Sequence, residues 1–330
     1  MKLRLALAAT GAVVGVLLAA VVYLASPTAA VRARAVIVEI PAHQGLLDVG
    51  TRLESAGVIK HRAVFAALAV VRGSARRLKA GDYEVPRGAT TLDVLALIES
   101  GRVRQHIVLH PEGASVAEVA RVLADERLAT AADLMRAARD PAFLAAHGIP
   151  GPSVEGYLFP DTYQFVRGLK VEEILGRMIL RLRAKLGDAE TRAKDRGLTL
   201  HQLLTLASII EREAVAPDER RVIAAVFWNR LKRGMPLQAD PTVQYAAGRG
   251  RRTLTRADLD VDDAFNTYRY AGLPPGPIAS PGLASIEAAL DPAPVPYLYF
   301  VKLDERRHHF STTVAEHNAA VARYRMNRSR

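Results

Sequence analysis

Between Leu203 and Ala214 an almost wholly apolar run ends on two glutamates, Glu211 and Glu213. Apolar surroundings disfavour an ionised carboxyl. A glutamic acid kept protonated near neutral pH can donate its proton to a leaving oxygen such as that of a glycosidic bond. On a helix, residues two apart diverge by roughly 200°, so the two glutamates cannot flank one bond as a matched pair, and only one is the acid. The helical wheel leaves the choice open, since Glu211 falls near Leu204 and Ala207 while Glu213 falls near Leu206, Ile209 and Ile210. Either could instead pair with Arg212, Arg220 or Arg221 at a helix end.

Other chemistries lack their residues. With no cysteine, thiolate nucleophiles, disulfides and thiolate-bound zinc are excluded. The chain has no GxxxxGK[ST], HExxH or GxSxG, and no GxGxxG between a strand and a helix. His308 and His309 are adjacent and would face opposite sides of a strand, so no metal site is expected. The basic run Gly248 to Arg252 has no interleaved aromatics and reads as a solvated loop, not a nucleic-acid surface. The net charge of +11 implies an anionic partner, which charge alone does not identify.

Several elements must position the glutamates. Thr199 with Gln202 three residues on predicts a capping box for a helix running to about Ala214. Pro217, Asp218 and Glu219 open the next helix and Gly234 stops it. A long helix is expected over Val171 to Leu186, and helix-rich sequence from Thr130 to Ala146 precedes a loop at Gly148 to Glu155. From Leu237 the chain reads as irregular. Tyr297 to Val301 and His309 to Ser311 read as partner strands, and Thr313 to Tyr324 as a closing helix bearing His317 and Asn318.

Upstream, a strand, a Pro or Gly turn and an amphipathic helix recur three times: Val36 to Ile59, Tyr83 to Ile98 and Ile107 to Leu123. The region fits either a plain α+β packing module or a glycan-binding module resembling LysM. At the start, Lys2 and Arg4 precede an uncharged run from Leu5 to Ala25. At helical rise that run spans ~30 Å, enough to cross a bilayer and longer than a signal peptide's apolar core. An uncleaved anchor with its basic end inside is expected, although Arg32 and Arg34 weaken the charge asymmetry.

Seven blocks then occur in order: Glu155 to Tyr163 (EGYLFPDTY), Ala207 to Glu213 (ASIIERE), Val226 to Leu231 (VFWNRL), Leu237 to Val243 (LQADPTV), Asn266 to Tyr268 (NTY), Gly272 to Gly276 with Ile278 (GLPPG-I), and Tyr297 to Val301 (YLYFV). Together they resemble the MltG (YceG-like) endolytic murein transglycosylase family, over about Val36 to Tyr324. Ala239 and Phe265 stand where the family pattern leads one to expect Thr and Tyr.

The resemblance implies that Glu213, the second glutamate of Glu-x-Glu, is catalytic. It implies an endolytic lytic transglycosylase that cleaves the MurNAc-GlcNAc β-1,4 bond of peptidoglycan, leaves 1,6-anhydro-MurNAc ends and so helps terminate nascent glycan strands. A hydrolytic glycosidase needs two carboxyl groups, and no second matched carboxylate is visible in the sequence. A transglycosylase needs one, because the sugar's own C6 hydroxyl is the nucleophile. Glu155, Tyr157, Asp161, Asn229, Gln238, Asp240, Thr242, Asn266, Thr267 and Tyr268 are the candidate substrate-binding residues, although Thr and Asn in turns often cap their own backbone. For Glu155, Tyr157, Asp161 and Tyr163 a structural loop with a turn at Pro160 and Asp161 is the competing expectation.

The expected architecture is α+β: a single N-terminal transmembrane helix in residues 1–30, a small LysM-like module in 31–104 and a larger YceG-like catalytic domain in 105–330. The protein would sit in the cell inner membrane with its catalytic body in the periplasm. Its partners would be peptidoglycan strands and the synthases that make them, with no cofactor and no nucleic acid. One rival is a non-catalytic peptidoglycan-binding scaffold. A second, a pyridoxal phosphate lyase, lacks any visible Schiff-base lysine in a phosphate cradle.

Overall fold

Helices make up about half of the chain, and several of them open on polar caps. Thr90, Ser115, Thr199 and Thr255 each accept a hydrogen bond from the backbone N–H three residues on, and the side-chain oxygen at that third position accepts one from the cap's own backbone N–H. Each box satisfies two backbone donors that a helix start leaves orphaned. The computed structural model describes residues 2–41, 44–248, 250, 253–304 and 306–328, without the side chains at 2–9, 13, 17 and 327–328. The basic run Gly248 to Arg252 falls largely outside these residues.

The chain is mixed α+β and divides into two compact units, one of residues 1–107 with 164–169 and one of residues 108–163 with 170–330. The first unit begins with α1 (Lys2–Ala25) and α2 (Ala29–Ala33). Then come β1 (Val36–Ile40), α3 (Leu46–Ser55), α4 (Arg62–Val71), β2 (Gly81–Val85) and α5 (Thr91–Ser100). β1 and β2 pair antiparallel from Val36 opposite Val85 to Ile40 opposite Gly81. Val38, Ile40, Leu53, Phe65, Tyr83, Leu95 and Ile98 form the core between this ribbon and the helices. Buried Asp82 is held by Arg167 at 2.8 Å and His106 at 3.3 Å.

The three strand-turn-helix copies are present as β1 with α3, β2 with α5, and β3 (His106–His110) with the helix at Val116–Asp125, but they are joined differently from one another. α4 is a second helix between β1 and β2, and β3 pairs with β4 (Asp161–Phe165) instead of joining the ribbon. The chain passes between units within these two strands. The segment expected to turn at Pro160 and Asp161 therefore opens a strand. Among the described residues no helix is long and apolar enough to cross a membrane.

The second unit contains α6 (Val116–Asp125), α7 (Ala131–Ala137), α8 (Pro141–Ala146), α9 (Val171–Leu186), α10 (Ala189–Asp195) and α11 (Leu200–Glu213). A 3₁₀ turn at Pro217–Glu219 leads into α12 (Arg220–Lys232), followed by α13 (Asp240–Ala246), α14 (Arg256–Leu259) and α15 (Leu283–Leu290). The chain closes with β5 (Tyr299–Lys302), β6 (His308–Ser311) and α16 (Val314–Arg328). Between Leu237 and Tyr297, expected to be irregular, the described residues thus hold three helices. They are short and start at Asp240, Arg256 and Leu283, among prolines and polar residues that mask helical periodicity.

α11 is the axis of this unit. Every residue from Leu203 to Ile210 is buried, and the helix packs against α10, α12, α13 and α15. Each buried Leu or Ile contributes roughly 1.5–3 kcal/mol, which fixes a helix that would be marginal alone at this length. Its C-terminal turn is held from outside, where Ile278 donates its N–H to Ser208 Oγ at 3.1 Å.

Candidate active site

The two glutamates at the end of α11 have different fates. Glu211 accepts the N–H of Gly282, the N-cap of α15, at 3.0 Å and lies 3.5 Å from the Arg220 guanidinium at the start of α12. Its side chain is only 6% exposed. Its oxygens therefore tie α11 to its neighbours, as the helix-end pairing foreseen for either glutamate requires. Glu213 sits in a different field, set by burial and by charges at a distance.

Glu213 is the last residue of α11; Ala214 is already extended. Its surroundings push the carboxyl up to about 8, first through burial and then through repulsion by Asp240, opposed by Lys302, Arg212 and Arg230. The negative end of the helix dipole acts in the same direction. The residue is half-buried, so it is deep among packed atoms yet still reachable from solvent. The outcome is an acid that keeps its proton near neutral pH.

Asp240, one of the candidate binding residues, is a second carboxylate in the field of Glu213. It opens α13, followed by Pro241 at the first helical turn, and accepts a 2.6 Å hydrogen bond from the Tyr268 hydroxyl. The turn that presents it is built from the next four candidates. Gln238 adopts φ 48°, a left-handed conformation rare for a residue with a Cβ. Its N–H donates to Thr267 O at 3.1 Å, and the Ala239 N–H donates to Thr267 Oγ1 at 3.0 Å. Thr242 Oγ1 donates to Ala239 O and shares a 2.8 Å contact with Thr267 Oγ1. Asn266, fully buried, donates to Leu259 O and Val261 O and accepts the Tyr268 N–H.

Arg230 on α12 is a residue that sequence alone does not single out. Its guanidinium donates to Leu298 O at 2.7 Å, Leu237 O at 2.9 Å and Gln238 Oε1 at 3.2 Å, and lies 5.1 Å from the Tyr299 ring centre. It thus ties the Gln238 turn to β5 and places a cation in the field of Glu213. An arginine in the last turn of a helix reads as ordinary dipole compensation, which hides it. Lys302, on β5, has no signal of its own.

The remaining candidates lie apart from this cluster. Asn229 donates to Val295 O and Tyr297 O, both at 2.9 Å, holding the approach to β5. The Tyr157 hydroxyl meets His201 Nδ1 at 2.8 Å while His201 Nε2 meets Pro275 O at 2.7 Å. Because a carbonyl only accepts, the proton is on Nε2 and Tyr157 donates to Nδ1. Asp161 is paired with Arg181 at 2.6 Å, which holds its carboxyl below the usual range. Glu155 is buried and accepts the Val116 N–H at 3.1 Å at the start of α6; burial raises it to about 8. No group of three or more His, Asp or Glu side chains suited to a metal ion occurs among the described residues.

Fold and site together define an α+β protein whose central helix ends on a half-buried glutamate that retains its proton near neutral pH, in the field of a carboxylate held by a tyrosine. The chain belongs to the YceG-like family, whose sequence profile matches residues 38–323. It is 33% identical over 303 residues to the endolytic murein transglycosylase of Bacillus subtilis (strain 168), covering 87% of this chain and 84% of that protein. It is 30% identical over 321 residues to the endolytic murein transglycosylase of Streptococcus pneumoniae serotype 2, covering 88% of this chain but only 58% of that longer protein. The crystal structure of a YceG-like protein from Listeria monocytogenes superposes with a TM-score of 0.62 at 34% identity, covering 87% of this chain and 99% of that one.

Proposed function

We propose that the protein is a lytic murein transglycosylase that cuts within peptidoglycan glycan strands, with Glu213 as its acid and base. The observation that carries this reading is a single half-buried glutamate, raised to about 8, in a cluster of polar side chains on a chain whose relatives bear that name. Protonated Glu213 gives its proton to the bridging oxygen as the bond from MurNAc C1 to that oxygen breaks. The C6 hydroxyl oxygen of the same sugar then attacks C1, and its proton passes to the Glu213 carboxylate. The 1,6-anhydro ring closes, the enzyme regains its starting state and no water is consumed.

Burial, reinforced by Asp240, keeps Glu213 protonated before the cut, and Asp240 adds negative charge beside the cationic sugar during it. Gln238, Asp240 and Tyr268 contact the sugar at the cut, whereas Asn229, Thr242, Asn266 and Thr267 shape the turns that present them. Tyr157 and Asp161 brace the same unit, and Glu155 lines a neighbouring recess. Asp240 is already committed to Tyr268 and to the start of α13, which favours an electrostatic role over activation of water.

The same reading places residues 1–30 in the inner membrane as a single-pass anchor, residues 31–104 as a LysM-like module and residues 105–330 as the catalytic domain in the periplasm. Lys2 and Arg4 ahead of the uncharged run from Leu5 to Ala25, and the exposure of Val16, Leu18, Val22 and Tyr23, support the anchor. A body held at the membrane meets new strands beside their synthases, and cutting them there ends their elongation. Mass spectrometry of products from uncross-linked strands tests the reaction. Ends one water lighter than reducing ends, formed by the parent and not by Glu213→Gln, support it; reducing ends from the parent overturn it.

A further inference from the structure

Within the second unit a cavity of about 600 Å³ is lined by Arg121, Arg139, Arg212, Gln244, Tyr245 and Phe265, with buried Glu155 in its wall. Its volume is that of a ligand pocket rather than a packing defect. One side is aromatic, with the rings of Tyr245 and Phe265 4.8 Å apart. Phe265 is one of the two positions that depart from the family pattern, and here it contributes apolar wall.

The charges of this cavity do not cancel. Glu118 is engaged at the start of α6, where it accepts from Ser115 N and Oγ, and Asp263 accepts the Phe265 N–H at 2.8 Å. Glu155, raised to about 8, carries little negative charge near neutral pH. Arg121 and Arg139 are exposed and line the cavity. A concave site with aromatic wall, amide and guanidinium groups suits a ligand bearing carboxylates, which arginine grips with paired hydrogen bonds.

The cavity also has a fixed relation to the acid. Arg212 precedes Glu213 in the chain and donates to Gln244 Oε1 at 3.3 Å. Gln244 lies four residues after Asp240 on α13, just over one helical turn or about 6 Å along its axis. A muramic sugar held at Glu213 and Asp240 would therefore have this recess within reach of its substituents. Of the two sugars in the strand, only the muramic one carries a peptide, and that peptide carries several carboxylates.

We infer that this cavity is a subsite for the peptide stem of the muramic residue at the cut, with Arg121 and Arg139 binding its carboxylates and Tyr245 and Phe265 its apolar side chains. The inference rests on peptidoglycan being the substrate. The test uses the full chain carrying Glu213→Gln, to stop turnover, and measures binding of a disaccharide-tetrapeptide and of the same disaccharide stripped of its peptide. The stem should tighten binding at least tenfold, and Arg121→Glu with Arg139→Glu should reduce that ratio to within twofold. Both arginines are exposed, and an unchanged melting temperature checks that the double variant folds.

No preference for the stem, or a preference that survives the double substitution, overturns the subsite even where the parent forms anhydro ends. A preference that the substitution abolishes supports the subsite, and does so even where the parent forms no anhydro ends, in which case only the transglycosylase reading fails.

Discussion

The Tyr268 hydroxyl donates a 2.6 Å hydrogen bond to Asp240, and the carboxylate held in this way repels the charge that Glu213 would carry. Two carboxyl groups thus take different roles, one retaining a proton and the other acting as a fixed negative neighbour. Removing Asp240's charge should lower the Glu213 value. In Asp240→Asn the basic limb of kcat/KM against pH, near 8 in the parent, should move down by roughly one unit. Tyr268→Phe should keep the charge and move the limb less while reducing kcat.

Glu213→Gln should cut activity by about three orders of magnitude and at the same time stabilise the fold. The sign follows from linkage. Below 4.5 the carboxyl is protonated in both states and costs nothing; between 4.5 and about 8 the unfolded chain releases the proton first, so folded stability falls as pH rises. The amide removes this penalty. Denaturant melts should show parent and variant alike near pH 4 and the variant ahead by a few kcal/mol near pH 8.

Glu211→Gln should give the opposite profile. Its carboxyl joins the Gly282 N–H to Arg220, so the substitution should cost on the order of 1–3 kcal/mol while leaving the pH limb of the reaction in place. Parallel melts and pH-rate profiles of the two glutamine variants separate brace from acid.

Arg230→Met should destabilise the protein by about 3 kcal/mol, because Leu237 O and Leu298 O would lose a buried charged donor and Gln238 its partner. Lysine cannot reach three acceptors at once and should restore little of the loss. Thermal melts with product analysis would show stability and turnover falling together.

Local signals make much of the fold legible. The capping box at Thr199 and Gln202, the helix over Val171 to Leu186 and the ribbon strand Val36 to Ile40 are readable because caps and periodicity are written within one or two turns. α13, α14 and α15 are not: all are short, α13 and α15 start close to prolines, and α14 lasts only four residues despite its capping box at Thr255 and Asp258. At the site the residue types are readable and their individual roles are not. Asn229, Thr242, Asn266 and Thr267 have the right polarity for sugar, yet their side chains are occupied by backbone and one another. The choice of Glu213 over Glu211 comes from family resemblance, because both lie in the same apolar stretch. It has a physical basis only once Gly282 and Arg220 are seen to occupy Glu211. The pairing of Tyr268 with Asp240, 28 positions apart, has no local signature at all.

If the cut consumes the sugar's own hydroxyl and not water, cleavage in heavy-oxygen water shows it most directly. Glycan strands cleaved in that solvent should yield new 1,6-anhydro-muramic ends with no heavy oxygen at C1. Reducing ends carrying the heavy isotope would contradict this mechanism and make Asp240 the activator of a hydrolytic water.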